Sequence, residues 1–155
     1  MTDTKRFFQL VRKKHEWLIR IRECSRRQLQ YVGEENLGAL LELLAAKQKL
    51  LLEIEGVDKE LAIYRVDDPE ERVWSSPEIR RQCRETVTQC DTLIREILDT
   101  DGLAEQQLTE KKEAAGRQLK QLDNSARVQK AYRQQKKSVN FSNTKALYRI
   151  DLNSR

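Results

Sequence analysis

Phe7-Phe8-Gln9-Leu10-Val11-Arg12-Lys13-Lys14-His15-Glu16-Trp17-Leu18-Ile19-Arg20-Ile21 sets the pattern on which the fold reading depends. Apolar residues return every three to four positions, at Phe7, Leu10, Val11, Trp17, Leu18 and Ile21, then at Cys24, Leu29 and Val32. That period places them on one face of an amphipathic helix over about residues 5–31, with Asp3 or Thr4 as its cap and Gly33 as its stop. After Gly33-Glu34-Glu35-Asn36 the pattern resumes at Leu37, Leu40, Leu41, Leu43, Leu44, Leu50, Leu51, Ile54, Val57, Leu61 and Tyr64. This predicts a second helix over 37–65, capped by Asn36, and so short a connection makes the two antiparallel neighbours.

Both prolines fall in one break, Asp67-Asp68-Pro69 to Ser75-Ser76-Pro77. Ser76 as cap, Pro77 in the first helical position and Glu78 in the first turn then predict a third helix from 77 to about 136. Its apolar seam runs Ile79, Cys83, Val87, Cys90, Ile94 and Ile97. Beyond Asp99-Thr100-Asp101-Gly102 it continues as Leu103, Leu108, Ala115, Leu119, Leu122, Ala126 and Val128. The third helix is therefore either continuous or bent or split near Asp101-Gly102; Asp-Gly without proline is a weaker stop than the loop before it. Residues 138–155 lose the helical period and read as a flexible tail. The expected architecture is all-α: an antiparallel helical bundle or coiled coil of three long helices in a single domain, 1–137, followed by that tail.

Composition agrees. Five glycines and two prolines among 155 residues, 38% hydrophobic and 35% charged, describe long helices with a narrow apolar seam rather than sheets with many turns. The net charge of +5 is not spread evenly. Residues 1–32 hold 9 basic and 3 acidic side chains, residues 33–68 hold 4 and 9, residues 69–101 hold 5 and 8, and residues 102–155 hold 12 and 5. A basic first helix beside an acidic second favours their pairing. Lys111, Lys112, Arg117, Lys120, Arg127, Lys130, Arg133, Lys136 and Lys137 have no acidic helix assigned to them, so an acidic protein or phosphates would meet them. A nucleic-acid reader needs aromatics interleaved with its cations, and only Tyr132, Phe141 and Tyr148 are at hand. A solvated helix face is the first expectation for these cations, a protein partner the second and nucleic acid the last.

Chemistry is not signalled. The sequence holds one histidine, His15, whose helical neighbours include Arg12 and Leu18 but no ligand, so no metal site and no cofactor is expected. No phosphate-binding loop, dinucleotide fingerprint or nucleophile motif occurs. Adjacent carboxylates at Glu34-Glu35, Asp67-Asp68 and Glu70-Glu71 read as capping or solvated groups rather than acid–base pairs, and the chain is not expected to be an enzyme. Cys24, Cys83 and Cys90 are odd in number and lack ligand spacing, so buried thiols in a reducing compartment are expected. The amino terminus shows neither the apolar run of a signal peptide nor a membrane span, so a cytoplasmic protein without membrane insertion is expected.

The stretch Val32-Gly33-Glu34-Glu35-Asn36-Leu37-Gly38-Ala39-Leu40-Leu41-Glu42-Leu43-Leu44-Ala45-Ala46-Lys47-Gln48-Lys49-Leu50-Leu51-Leu52 resembles the hairpin turn and second helix of the FlgN and FliT flagellar export chaperones of type III secretion. Within Leu98 to Arg133, Leu119-Lys120-Gln121-Leu122 and Lys130-Ala131-Tyr132 are similar to the last long helix of those chaperones. The loop from Asp67 to Pro77 and the tail depart from that pattern. The resemblance implies a chaperone that binds the carboxy-terminal helix of a hook-associated or filament-cap protein and prevents its premature assembly. Leu108, Ala115, Leu119, Leu122, Ala126 and Tyr132 would form the partner-binding face, a seam short of an intrachain partner. A homodimer would cover the same stripe. The competing readings are a coiled-coil stalk component of a secretion machine and a basic helical nucleic-acid-binding or regulatory protein.

Overall fold

The computed structural model describes residues 3–123, and these form three long helices with no strand among them. Helix α1 spans Thr4–Glu34, α2 spans Leu37–Ala62 and α3 spans Pro77–Asp123. A 3-10 turn, Ile63–Val66, continues α2, and a second, Pro69–Glu71, lies in the loop before α3. The chain runs up, down and up again, so α2 is antiparallel to both its neighbours. Helix α1 packs against both of the others along its length.

Each helix starts by the expected chemistry. Asp3 accepts the Arg6 amide at 3.0 Å, Asn36 accepts the Ala39 amide at 3.2 Å, and Ser76 accepts the Ile79 amide at 3.2 Å. Each side chain thereby satisfies one of the donors that a helix leaves open at its start. The end of α1 differs from expectation. Gly33 is helical, and Glu35 instead takes the left-handed conformation, at φ 57, with its amide turned back to the Tyr31 and Val32 carbonyls. A glycine permits the reversal but does not place it. The reversal falls on the residue immediately before the Asn36 cap, which lets α1 run on by three residues and keeps Val32 buried.

The core consists of layers stacked along the bundle. At the base, Phe8 and Val11 of α1 meet Cys83 of α3, with Phe7, Leu61, Trp74 and Ile79 packed around them. Phe7 stands edge-on to Trp74 at 6.3 Å, and Thr4 donates to the Val73 carbonyl at 2.7 Å, so the loop is held to the start of α1. The central layer joins Leu18 and Ile21 to Leu51 and Ile54 and to Cys90, Leu93, Ile94 and Ile97, with Trp17 packed against it. At the turn end, Val32, Leu40 and Ala104 are buried together. The contributing residues recur at seven-residue intervals: Val11, Leu18, Ser25 and Val32 on α1, Leu40, Lys47, Ile54 and Leu61 on α2, and Cys83, Cys90, Ile97 and Ala104 on α3. This is the repeat of helices that lie side by side over several turns.

The complementary charges meet across the helices. Arg6 reaches Glu60 at 2.6 Å and Lys14 reaches Asp58 at 2.7 Å between α1 and α2, while Arg22 reaches Glu96 at 3.3 Å on α3. The first and third are exposed and contribute tenths of a kcal/mol each, so they orient helices that apolar burial holds together.

Helix α3 runs unbroken through Asp99-Thr100-Asp101-Gly102, where a bend or split was a possibility. Within that stretch Asp101 is buried and bonded rather than exposed. The expected stretch 124–136 of the third helix and the expected tail, 138–155, lie outside the described residues.

Candidate functional site

Between the central and turn-end layers lies a polar one. Lys47 of α2 is fully buried at a position of the apolar repeat, and its ammonium donates to Asp101 Oδ2 at 2.7 Å, Asp101 Oδ1 at 2.8 Å and Gln28 Oε1 at 3.0 Å. Three N–H donors thus meet three acceptors, one supplied by α1 and two by α3. Gln28, Asp101 and Ser25 are themselves buried, and the Ser25 hydroxyl makes no hydrogen bond with other described residues. Burial pulls the Lys47 ammonium down from its ordinary range, against the Asp101 carboxylate, which favours the charged form. Cys24 lies near this layer, and burial raises its thiol. The sequence reading missed all four residues of the layer, treating Asp101 as an interruption and passing over Lys47 between its leucines. The spacing Leu40, Lys47, Ile54, Leu61 was the available signal.

The far end of α3 is different. Lys111 donates to the Gly33 carbonyl at 3.0 Å and pairs with Glu35 at 3.2 Å, which ties α3 to the α1–α2 turn. Beyond Lys111 the hairpin has ended while α3 continues through residues 112–123, a length of about 18 Å at 1.5 Å per residue. Over this overhang the repeat does not change. Ala115 and Leu122 extend the row Ile94, Asp101, Leu108 at the same seven-residue interval, and Leu119 stands between them. Ala115 is exposed, Leu119 is half-buried and Leu122 is 45% exposed.

The expected partner-binding residues therefore separate. Leu108 is not short of an intrachain partner: it is half-buried against Val32, Leu40 and Ala104. Lys111 has one acidic neighbour, Glu35 at the α1–α2 turn. Ala115 and Leu122 are exposed beyond the hairpin, with half-buried Leu119 between them. Ala126 and Tyr132 lie outside the described residues.

A second apolar strip lies on α2, and its Leu37, Leu41 and Leu44 were expected in the apolar seam. Leu37, Leu41 and Leu52 of α2 are 37%, 47% and 53% exposed, and with half-buried Leu44 they follow one face at helical spacing. Leucines fall on several sides of α2 between Leu37 and Leu52, so its periodicity could not show which of them α1 and α3 would cover.

Cys83 and Cys90 are buried in the base and central layers, and desolvation pushes each thiol up to about 11. At neutral pH they act as small apolar side chains. Open clefts of about 230, 430 and 360 Å³ collect around Phe7, Phe8 and Trp74 at the base and are rimmed by Arg65, Arg12 and Arg84. Among the described residues no helix is long and apolar enough to cross a membrane, and no group of three His, Cys, Asp or Glu is placed to hold a metal ion. No protein-family model, curated protein or solved structure matches this chain.

Proposed function

We propose that the protein is a helical export chaperone of the FlgN and FliT kind, which binds an amphipathic helix of an exported flagellar component, a hook-associated or filament-cap protein, along the overhang of α3. The observation that carries this reading is the apolar row that outlasts its partners, with Ala115, Leu119 and Leu122 continuing a core repeat where neither α1 nor α2 remains to cover it. A client helix laid on that row would extend the packing already made by α1 and α2 below it, which is helix-in-groove recognition. The resemblance of residues 32–52 and 119–122 to those chaperones supports this class of client, and a cytoplasmic site of action goes with it.

The charge of the overhang favours a protein client over nucleic acid. Residues 102–123 hold 4 basic and 4 acidic side chains, so the basic excess of the last third falls on residues 124–155, with 8 and 1. The overhang is thus distinguished by its apolar row and not by net charge.

Calorimetry with peptides spanning the carboxy-terminal helices of hook-associated and cap proteins tests the reading. Binding should be lost in Leu119→Asp and Leu122→Asp and kept in Leu52→Asp, on the exposed strip of α2. Absence of binding to every such peptide, or binding indifferent to both overhang substitutions, refutes it. A mass that rises with concentration in light scattering, without client binding, would favour the stalk component. Nucleic-acid affinity that collapses with salt would favour the regulatory reading.

A further inference from the structure

We propose that the buried Lys47–Asp101 pair is a latch that keeps α3 a single helix across residues 99–102 and so sets the direction of the overhang. The inference goes beyond the choice of client and does not depend on it.

Asp99-Thr100-Asp101-Gly102 is the weakest helical stretch of α3. Aspartate and threonine are poor helix formers, and glycine is the poorest residue other than proline. Packing does little to compensate, since Asp99, Gly102 and Leu103 are exposed and Thr100 is only half-buried. Asp101 is the one residue of the four that faces the bundle as a fully buried group, and it makes no apolar contribution there. Between the buried Ile97 and Ala104, the contact of this stretch with the bundle therefore rests on a carboxylate held by Lys47, whose own ammonium is completed by Gln28.

A buried ion pair is a weak source of net stability, because desolvating both groups offsets most of their attraction; its consequence is conditional. With the pair intact, all three helices are joined in one register at this layer. With one partner removed, the other is left charged and unpaired, and the simplest relief is to take it to water. For Asp101 that relief coincides with the four residues least able to remain helical. Opening the latch thus breaks α3 at 99–102 and leaves the packed base, Cys83 to Ile97, in place. The segment beyond, with Ala115, Leu119 and Leu122, is then held to the hairpin through Ala104, Leu108 and Lys111 and is no longer fixed in line with the base.

Hydrogen exchange read by mass spectrometry on the full chain tests this. Lys47→Met should speed exchange of the amides at 99–104 by about tenfold relative to those at 80–94 in the same protein. Gly102→Ala added to Lys47→Met should slow those same amides by about fivefold, because alanine strengthens the helix locally. No atom lies within 4 Å of a side chain added there, so the substitution brings no clash. Should Lys47→Met fail to fold, Gln28→Ala removes one acceptor only, and the same comparison with and without Gly102→Ala applies. A uniform rise along α3, a rise centred elsewhere, or an opening that Gly102→Ala does not repair would overturn the latch.

Discussion

The packed and the overhanging parts of α3 belong to one helix with one repeat, yet they have opposite surroundings. Ile97 is 0% exposed, whereas Leu122 is 45% exposed, although both fall on the face that the sequence marks as buried. The difference is made by where α1 and α2 turn. A seven-residue repeat states that a face will be covered; the length of the neighbouring helices decides whether this chain does the covering.

The largest effect expected from this contrast is on stability. Ile97→Ala should cost about 3 kcal/mol in urea unfolding, while Leu122→Ala should cost less than about 0.5 kcal/mol. Equal losses would mean that the overhang is covered within the chain after all. Thiol reactivity sharpens the same comparison. Cys90 is raised from 9.0 to about 11, which near pH 8 lowers its thiolate fraction about a hundredfold relative to an unshifted thiol, before steric protection is counted. In Ala115→Cys, alkylation followed by mass spectrometry should therefore modify position 115 at least that much faster than Cys90. Comparable rates would show that the packed half opens freely.

The two core thiols also give the packed half a pH dependence. Their folded values lie above 9.0, so the folded protein retains protons that the unfolded chain releases. The stability associated with them is complete below pH 9.0 and is lost as pH rises through about 11. Denaturation midpoints should fall over that window, and Cys83→Ala with Cys90→Ala should flatten the decline; an unchanged slope would assign it to other groups. A further effect concerns the boundary between the regions. Asn36→Ala removes the cap of α2 beside the foot of the overhang and should cost about 1 kcal/mol, measured by thermal unfolding.

Much of the architecture was legible from local chemistry. Asp3, Asn36 and Ser76 each cap the helix they precede, because capping needs only a short polar side chain and the amides that follow it. The end of α1 was not legible, since Glu35 takes a conformation for which Gly33 is the better residue, and the demand comes from the next helix. The candidate face was half legible. Ala115, Leu119 and Leu122 were identified from the repeat alone, but Leu108 depended on how far the hairpin reached, a fact of tertiary structure. Lys47 and Asp101 escaped notice because a charged residue at a core position looks like an interruption until its partner, 54 residues away, is known.

Helix α1 lies between α2 and α3, and this placement bears on how the chain assembles as it is made. The α1–α2 hairpin needs only neighbouring sequence and can close as soon as α2 has been synthesised. Until Cys90, Ile94 and Ile97 follow, the second apolar face of α1 has no cover. A nascent hairpin of this kind is open on the side that α3 later occupies, so α3 docks last. Local opening in the mature protein would retrace that order, with α3 leaving before the hairpin separates.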